Sequence, residues 1–303
     1  MRVSANKPIY VETFIHTEME SIWRATQDPA KHEEWDLRFS KIEYIPKQDE
    51  EEKQRFRYVT NIGFGLRIEG EGVTTPGKHQ DQERMSTLQF SSDQAISLIQ
   101  SGGGYWRYIQ EDQGVRFLTR YDYKTRFYFL GKWFDRMIFR PLMGWATALS
   151  FDVLKIWLEK GIPPKVSYRQ LLIHAIVTFG LMFTWIYHGL VPKLLAQDAQ
   201  ELALLKGIIG SEANAVLLLQ VAGLLEIAVG ILCLLFHRRK ALYIINIAAM
   251  LLLAIGAAIS DITVFLAPFN PATLNMAVCL LAWIGGMTLA HLPSAGHCIR
   301  KQP

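Results

Sequence analysis

Residues 215–236 read AVLLLQVAGLLEIAVGILCLLF, an apolar run whose single charge is Glu226. A helix of about 20 such residues crosses the hydrocarbon core of a bilayer. In lipid only a helix or a closed barrel satisfies its own backbone, so this run reads as a membrane span. Comparable runs lie at about 171–191, 241–260 and 274–291. A four-helix transmembrane bundle is therefore predicted for 171–303. The rest of the chain has a different composition. In residues 1–169, 48 of 169 are charged, against 12 of 134 in 170–303, so the first part faces water. Domains are expected at 1–160 and 171–303, joined by a 161–170 linker carrying Gly161 and Pro163-Pro164.

Loop charges predict the orientation. His237-Arg238-Arg239-Lys240 joins the second and third spans, Arg300 and Lys301 follow the fourth, and Lys160, Lys165 and Arg169 precede the first. The remaining connections set Lys193 and Lys206 against Asp198, Glu201, Glu212 and Asp261. Positive loops stay inside. A multi-pass protein of the cytoplasmic membrane is expected, with its N-terminal domain and C-terminus cytoplasmic. The opening MRVSANKPIYVETFIHTEME has no uninterrupted apolar stretch and does not read as a signal peptide. Cys233, Cys279 and Cys298 form no CxxC pair, which argues against a disulfide framework or a cysteine-held metal.

Inside the spans polar groups are few. Glu226 sits about 16 Å into its helix at about 1.5 Å per residue, close to mid-bilayer. An intramembrane carboxylate faces the bundle interior and marks a functional site or an interhelix bond. A polar site of Glu226, His188 and Tyr187 is expected, with Lys193 snorkelling to the outer boundary. Gly223 and Gly230 suit close helix packing. His174 and His291 fall toward the inner face, where a bis-histidine haem is conceivable. The stretch Trp185-Ile186-Tyr187-His188-Gly189-Leu190-Val191-Pro192-Lys193, followed by Ala222-Gly223-Leu224-Leu225-Glu226, resembles the DoxX-like family of four-helix membrane proteins over about 168–298. That group includes a subunit of a thiosulfate:quinone oxidoreductase, so the resemblance allows a quinone; no other cofactor is predicted.

The first half begins with an extended run, Pro8 to Ile15, then a helical piece Met19 to Thr26, a break at Asp28-Pro29, and His32 and Trp35-Asp36 on a second short helix. From 37 to 128 the pattern is consecutive antiparallel strands. Val115, Phe117, Thr119, Tyr121 and Tyr123 alternate with Arg116, Arg120, Asp122 and Lys124, a period of two with one face packed and one wet. The Gly63-Phe64-Gly65 turn, Gly77 and the charge run Asp49-Glu50-Glu51-Glu52 punctuate the strands. After Gly131 to Phe139, Pro141 opens a long helix with a stripe of Leu142, Trp145, Leu149, Val153 and Ile156; Asp152, Lys155 and Glu159 take its opposite, wet face.

Strand, two short helices, curved antiparallel sheet and long C-terminal helix form an α+β helix-grip. With Asp28-Pro29, His32, Trp35-Asp36, Gly103-Gly104-Tyr105-Trp106-Arg107-Tyr108 and Phe117-Leu118-Thr119-Arg120-Tyr121, residues 7–160 resemble the START-like, polyketide cyclase (SRPBCC) superfamily. The resemblance implies an apolar cavity between sheet and long helix. Its expected ligand-binding residues are Trp35, Phe56, Tyr58, Leu66, Leu88, Trp106, Tyr108, Phe117, Thr119, Tyr121, Tyr123, Trp145 and Leu149. For each of them core packing is the competing reading.

No HExxH, GxSxG, Walker A or zinc spacing is present, and the reading leans against an enzyme. His16, His32 and His79 are scattered. His32 with Glu33, Glu34 and Asp36 reads as a solvated helix face rather than a metal cluster. The net charge of +4 is split evenly, +2 in residues 1–169 and +2 in 170–303, which argues against nucleic acid. Arg136, Arg140, Lys155, Lys160, Lys165 and Arg169 lead toward the membrane and would draw the domain to anionic lipid, or simply reflect topology. The function expected is a membrane-tethered binding protein for a lipid or other hydrophobic small molecule. The bilayer and that ligand are its partners, with homo-oligomers through the membrane domain allowed. The alternatives are a quinone-linked membrane oxidoreductase subunit, and a ligand sensor or assembly factor.

Overall fold

A computed structural model describes residues 7–302 except 50–51, 64, 77–81 and 269. Glu50, Glu51, Phe64, Gly77 and His79 thus lie outside the described residues. The chain divides into two compact units, Met1–Tyr168 with Pro293–Pro303, and Arg169–Leu292.

The first unit opens with β1 (Ile9–Ile15), α1 (Met19–Gln27) and α2 (Pro29–Trp35). Asp28 separates the two helices by serving both. Its backbone N–H closes α1 on Arg24, and its carboxylate caps α2 through the Ala30 N–H, with Pro29 in the first turn. β2 (Lys41–Tyr44), β3 (Gln54–Gly63), β4 (Leu66–Pro76), β5 (Glu83–Ser91), β6 (Ile99–Glu111) and β7 (Gly114–Thr125) follow. They form one antiparallel sheet in the order β1-β7-β6-β5-β4-β3-β2. The expected alternation holds in β7, where Val115, Phe117, Thr119, Tyr121 and Tyr123 are buried and Arg116, Arg120 and Lys124 exposed.

Glycines shape the concave face. Phe56, Gly72, Phe90, Gly102 and Tyr123 are successive register partners across five strands. A Cβ on Gly72 would collide with the Phe56 ring, and one on Gly102 with the Phe90 ring. Each ring thus lies flat across the glycine of the next strand.

Then come α3 (Tyr128–Phe134), a π-helical turn (Asp135–Phe139) and α4 (Arg140–Lys160). The helix-grip is completed by α4, which packs on β1. Only its later turns are buried, continuously from Thr147 to Leu154. Leu142 and Trp145 precede that stretch, and Trp145 is 43% exposed rather than facing inward. Leu66, also expected inside, stands at the β3–β4 turn and is 48% exposed. Asp152, expected on the wet face, is buried. The C-terminal residues explain it. The Ser294 N–H donates to the Asp152 carboxylate at 2.7 Å, His297 Nδ1 lies 2.9 Å from it, and Ile299 pairs with Glu12 of β1. Residues 293–303, read from sequence as part of the membrane domain, therefore group with the first unit.

The second helical run begins at Pro164, so only Gly161–Pro163 separates it from α4; Gly161 closes α4 with a left-handed φ of 67°. α5 (Pro164–His188) continues through a π-helical turn (Gly189–Leu195) that contains Pro192. α6 (Ala199–Ile209) is a short helix that the hydropathy reading does not anticipate. α7 (Glu212–Leu235), α8 (Lys240–Ser260) and α9 (Pro271–Met287) follow. Among the described residues three runs are long and apolar enough to cross a membrane, 164–195, 212–235 and 240–260, with mean hydropathies of 1.6, 2.4 and 2.4. The fourth expected span is α9, apolar but only 17 residues long. Trp185, Cys233, Tyr243, Met250 and Val278 meet in the core of the bundle. Leu225, Leu252, Ile259 and Trp283 point outward, as lipid-facing residues do. Gly223 approaches the Gly189 backbone, and a Cβ on Gly230 would stand 2.6 Å from Ile186, which is the close packing expected of both.

Candidate functional site

A pocket opens in the first unit between α2 and the sheet. His32, Phe39, Ile42, Phe56, Leu88 and Trp106 line its apolar part, and Thr26, Gln27, Tyr44, Thr74 and Ser86 its polar part. Its cavity volume is about 40 Å³. That is room for a few waters; anything larger must displace side chains. A more open depression near α1 and α4, lined by Ser21, Arg24, Ala25, Lys31, Trp157 and Leu158, has about 290 Å³ by the same measure. It has no comparable cage of rings, so the α2 pocket is the better candidate.

Behind the pocket residue His32 lies a buried ion pair. Asp36 accepts from Arg38 Nε at 2.8 Å and Nη2 at 2.6 Å, and from His32 at 3.0 Å. Burial alone would raise the Asp36 pKa, but the adjacent Arg38 charge and the bonds from Arg38 and His32 outweigh it, and the carboxyl is held well below the ordinary range. An ionised carboxylate only accepts, so His32 Nε2 carries the hydrogen of this bond. The ring is stacked on Trp35 at 5.0 Å and edge-on to Trp106 at 4.9 Å and Phe39 at 5.2 Å. Trp35 is itself fixed by donating to the Ala25 carbonyl at 2.9 Å. His32 is thus an oriented pocket group rather than a solvated one. On the polar side Ser86 donates to Gln27 at 3.3 Å, Gln27 donates to Tyr108 at 3.1 Å, and Tyr44 donates to the Gln27 carbonyl at 2.9 Å.

Of the residues expected to touch a ligand, Phe56, Leu88 and Trp106 line this pocket. Tyr58 packs beside it with Ile42 and Phe56, and Trp35 lies under His32. The others fill the space between sheet and long helix. Phe117 stacks on Phe151 at 4.4 Å and on Tyr108 at 4.9 Å. Tyr121 reaches Thr147 at 2.8 Å, Tyr123 donates to Asp135 at 2.7 Å, and Thr119 donates to the Tyr105 carbonyl at 3.2 Å. Leu149 is buried on α4. Aromatic stacking closes the central space, and the pocket survives at the α2 end. His32 and Asp36, four residues apart on and just after α2, are the sequence signal that could have located it.

Among the described residues of the membrane unit, three polar groupings bear on the expected sites. Lys193 Nζ lies 3.2 Å from Glu226 and 3.0 Å from Glu201 of α6. Lys193 therefore turns inward instead of snorkelling. His188 has no hydrogen bond to Glu226 among the described residues; its ring lies edge-on to Tyr187 at 6.1 Å, and Tyr187 is exposed. In the middle of the bundle Trp185 donates to Asn246 at 2.7 Å. The third grouping involves His174, which meets His237 at 2.8 Å and Thr288 at 2.8 Å, while Thr288 donates to the Gly285 carbonyl. Both ring nitrogens of His174 are thereby engaged, and its partner is His237, not His291. Among the described residues no three His, Cys, Asp or Glu side chains gather as a metal site.

A helix-grip unit joined to apolar membrane helices defines a two-part membrane protein. Residues 182–283 match the DoxX-like family. Over 185 residues the chain is 46% identical to the uncharacterized membrane protein YndG of Bacillus subtilis (strain 168), covering 60% of this chain and 69% of that protein. The chain belongs to the family of YndG. The N-terminal half is similar in structure to TTHA0849 from Thermus thermophilus (13% identity, TM-score 0.36, 45% of this chain and 86% of that one). It is also similar to a STAR-related lipid transfer protein from Xanthomonas axonopodis (13% identity, TM-score 0.33, 44% and 87%).

Proposed function

We propose that this protein binds a small amphipathic molecule in the α2 pocket and holds it beside the cytoplasmic face of the membrane. The pocket carries this reading: rings of Phe39, Phe56 and Trp106 on one side, hydrogen-bonding Gln27, Tyr44 and Ser86 on the other, and His32 oriented by Asp36. Such a lining, mostly apolar with a few placed polar groups, is that of a small-molecule site. At about 40 Å³ the pocket must widen by side-chain movement for any such ligand, less for a compact polar end with a short apolar body than for a whole two-chain lipid. The basic His237–Lys240 turn supports the cytoplasmic orientation.

Native mass spectrometry of the detergent-purified full chain, followed by titration with a panel of short-chain amphiphiles, tests the reading. Leu88→Trp is expected to fill the pocket and weaken binding at least about tenfold, while overpacking costs about 1–3 kcal/mol of stability. His32→Ala is expected to weaken only ligands that carry a hydrogen-bonding end. A folded wild-type chain that retains nothing and binds nothing in the panel would sink the proposal. Reporter fusions at the C-terminus and in the α6–α7 connection check the orientation: only the first should be active in the cytoplasm.

A further inference from the structure

The helical segment Tyr128–Phe139 is inside out for a water-soluble surface. From 127 to 138 only Gly131 and Asp135 are buried, one helical turn apart on a single face. Gly131 sits against the Arg126 carbonyl so closely that no side chain would fit. Asp135 accepts from Tyr123 at 2.7 Å and from Arg140 at 3.0 Å. Arg140 in turn reaches Asp122 at 2.9 Å, with its guanidinium 4.4 Å from the centre of the Tyr123 ring. The face turned to the domain is therefore a glycine and a polar network. The face turned away carries Tyr128, Phe129 and Leu130, which are 92, 78 and 72% exposed, followed by Trp133, Met137 and Ile138, all exposed.

A soluble domain buries such residues and leaves charges outside. A contiguous exposed apolar face of this kind marks an interaction site. The segment is also entered under strain: Phe127 and Tyr128, neither of them glycine, have left-handed φ of 63° and 42°. Only two charged side chains share the outward face, Lys132 and Arg136, both exposed and both positive.

We propose that Tyr128–Phe139 is an interfacial anchor, lying in the headgroup layer of an anionic leaflet with Phe129, Leu130 and Trp133 inserted among the acyl chains. Aromatic residues with basic neighbours are the composition of interfacial helices. The charge complementarity is one-sided, because no anion on this face opposes acidic headgroups. Of the basic residues that first suggested membrane contact, Arg140 is used up in the buried network, and Lys155 stands 3.9 Å from Glu159. Arg136, one of those residues, keeps that role, and Lys132 joins it. The chain's own membrane helices keep the segment near a bilayer, so a weak anchor suffices. Docking of this kind is independent of what the α2 pocket holds.

Photo-crosslinking in the full chain tests the anchor. The photoreactive residue p-benzoylphenylalanine is placed at Phe129, at Trp133 or, as a control on the exposed face of β3, at Arg57. The protein is reconstituted into vesicles of phosphatidylcholine with phosphatidylglycerol, irradiated, and analysed by mass. Lipid adducts are expected at Phe129 and Trp133 and not at Arg57. Lys132→Gln with Arg136→Gln removes two charges. At about 1 kcal/mol each this lowers the ratio of docked to undocked segment about thirtyfold, with little change in vesicles of phosphatidylcholine alone. Adducts to protein instead of lipid would overturn the proposal in favour of a second copy or another face of the chain. Lipid adducts no more abundant at Phe129 than at Arg57 would overturn it outright.

Discussion

Replacing Lys193 by methionine is expected to destabilise the membrane bundle by about 3–5 kcal/mol. The Lys193 side chain is 11% exposed and that of Glu226 15%, so neither charge keeps a full hydration shell. Bringing them together offsets desolvation only while both are present. Lys193→Met leaves the Glu226 carboxylate among α7 neighbours with no cation, and it must then take a proton or draw in water. Glu226→Met alone should cost less, because Glu201 still pairs with Lys193 at 3.0 Å and has a 35% exposed side chain. Removing both charges in Lys193→Met/Glu226→Met should recover most of the loss, since a packed apolar pair often matches or exceeds a buried ion pair. Unfolding of the detergent-solubilised chain by titration with sodium dodecyl sulfate measures all three variants. A double variant as unstable as Lys193→Met would show that the lysine stem, not its charge, matters.

The pattern of what sequence can and cannot reveal follows from the range of the forces involved. Strand alternation in β7 is local, set by the two-residue period between Val115 and Tyr123, and it is readable. So are the membrane runs, because hydropathy over about 20 residues needs no knowledge of neighbours. Lys193 escapes the sequence reading because the π-helical turn at Gly189–Leu195 adds a residue to the turn and re-aims the side chain toward Glu226. Asp152 looks like a wet-face residue because its partners, Ser294 and His297, return from more than a hundred residues away. The cavity is expected under the long helix from the resemblance alone. Whether rings such as Phe117 and Phe151 leave space or stack to fill it depends on three-dimensional packing. The piece from Gly131 to Phe139 is legible as helical, but its start at Tyr128 and its reversed face are not. That reversal depends on Tyr123, Asp135 and Arg140 bonding beneath it.

Arg38→Met is expected to cost the first unit about 3–5 kcal/mol near neutral pH, and the loss should shrink in acid. In the native protein the Asp36 carboxyl is held below its unfolded value of about 3.9. A depressed pKa stabilises the folded state above the unfolded value, and that contribution is lost as pH falls through about 4 toward the folded value. Without Arg38, burial is the dominant influence and pushes the carboxyl upward, with only His32 left to oppose it. The linkage then changes sign: the folded state binds the proton more tightly than the unfolded one, so lowering the pH from 7 toward 4 stabilises the variant relative to neutral pH. Wild-type and Arg38→Met stabilities should therefore converge on acidification. Urea unfolding of the detergent-solubilised chain from pH 4 to 8, followed by tryptophan fluorescence, reads this directly, because six of the eight tryptophans lie before residue 160. Asp36→Asn supplies the control. It removes the titrating group, so its stability should lack this acid-dependent component, while the unpaired Arg38 keeps it well below wild type at pH 7. A stability gap between wild type and Arg38→Met that stays constant from pH 8 to 4 would mean that losing Arg38 leaves the proton affinity of Asp36 unchanged over that range, and Arg38 would then not be what holds the carboxylate ionised.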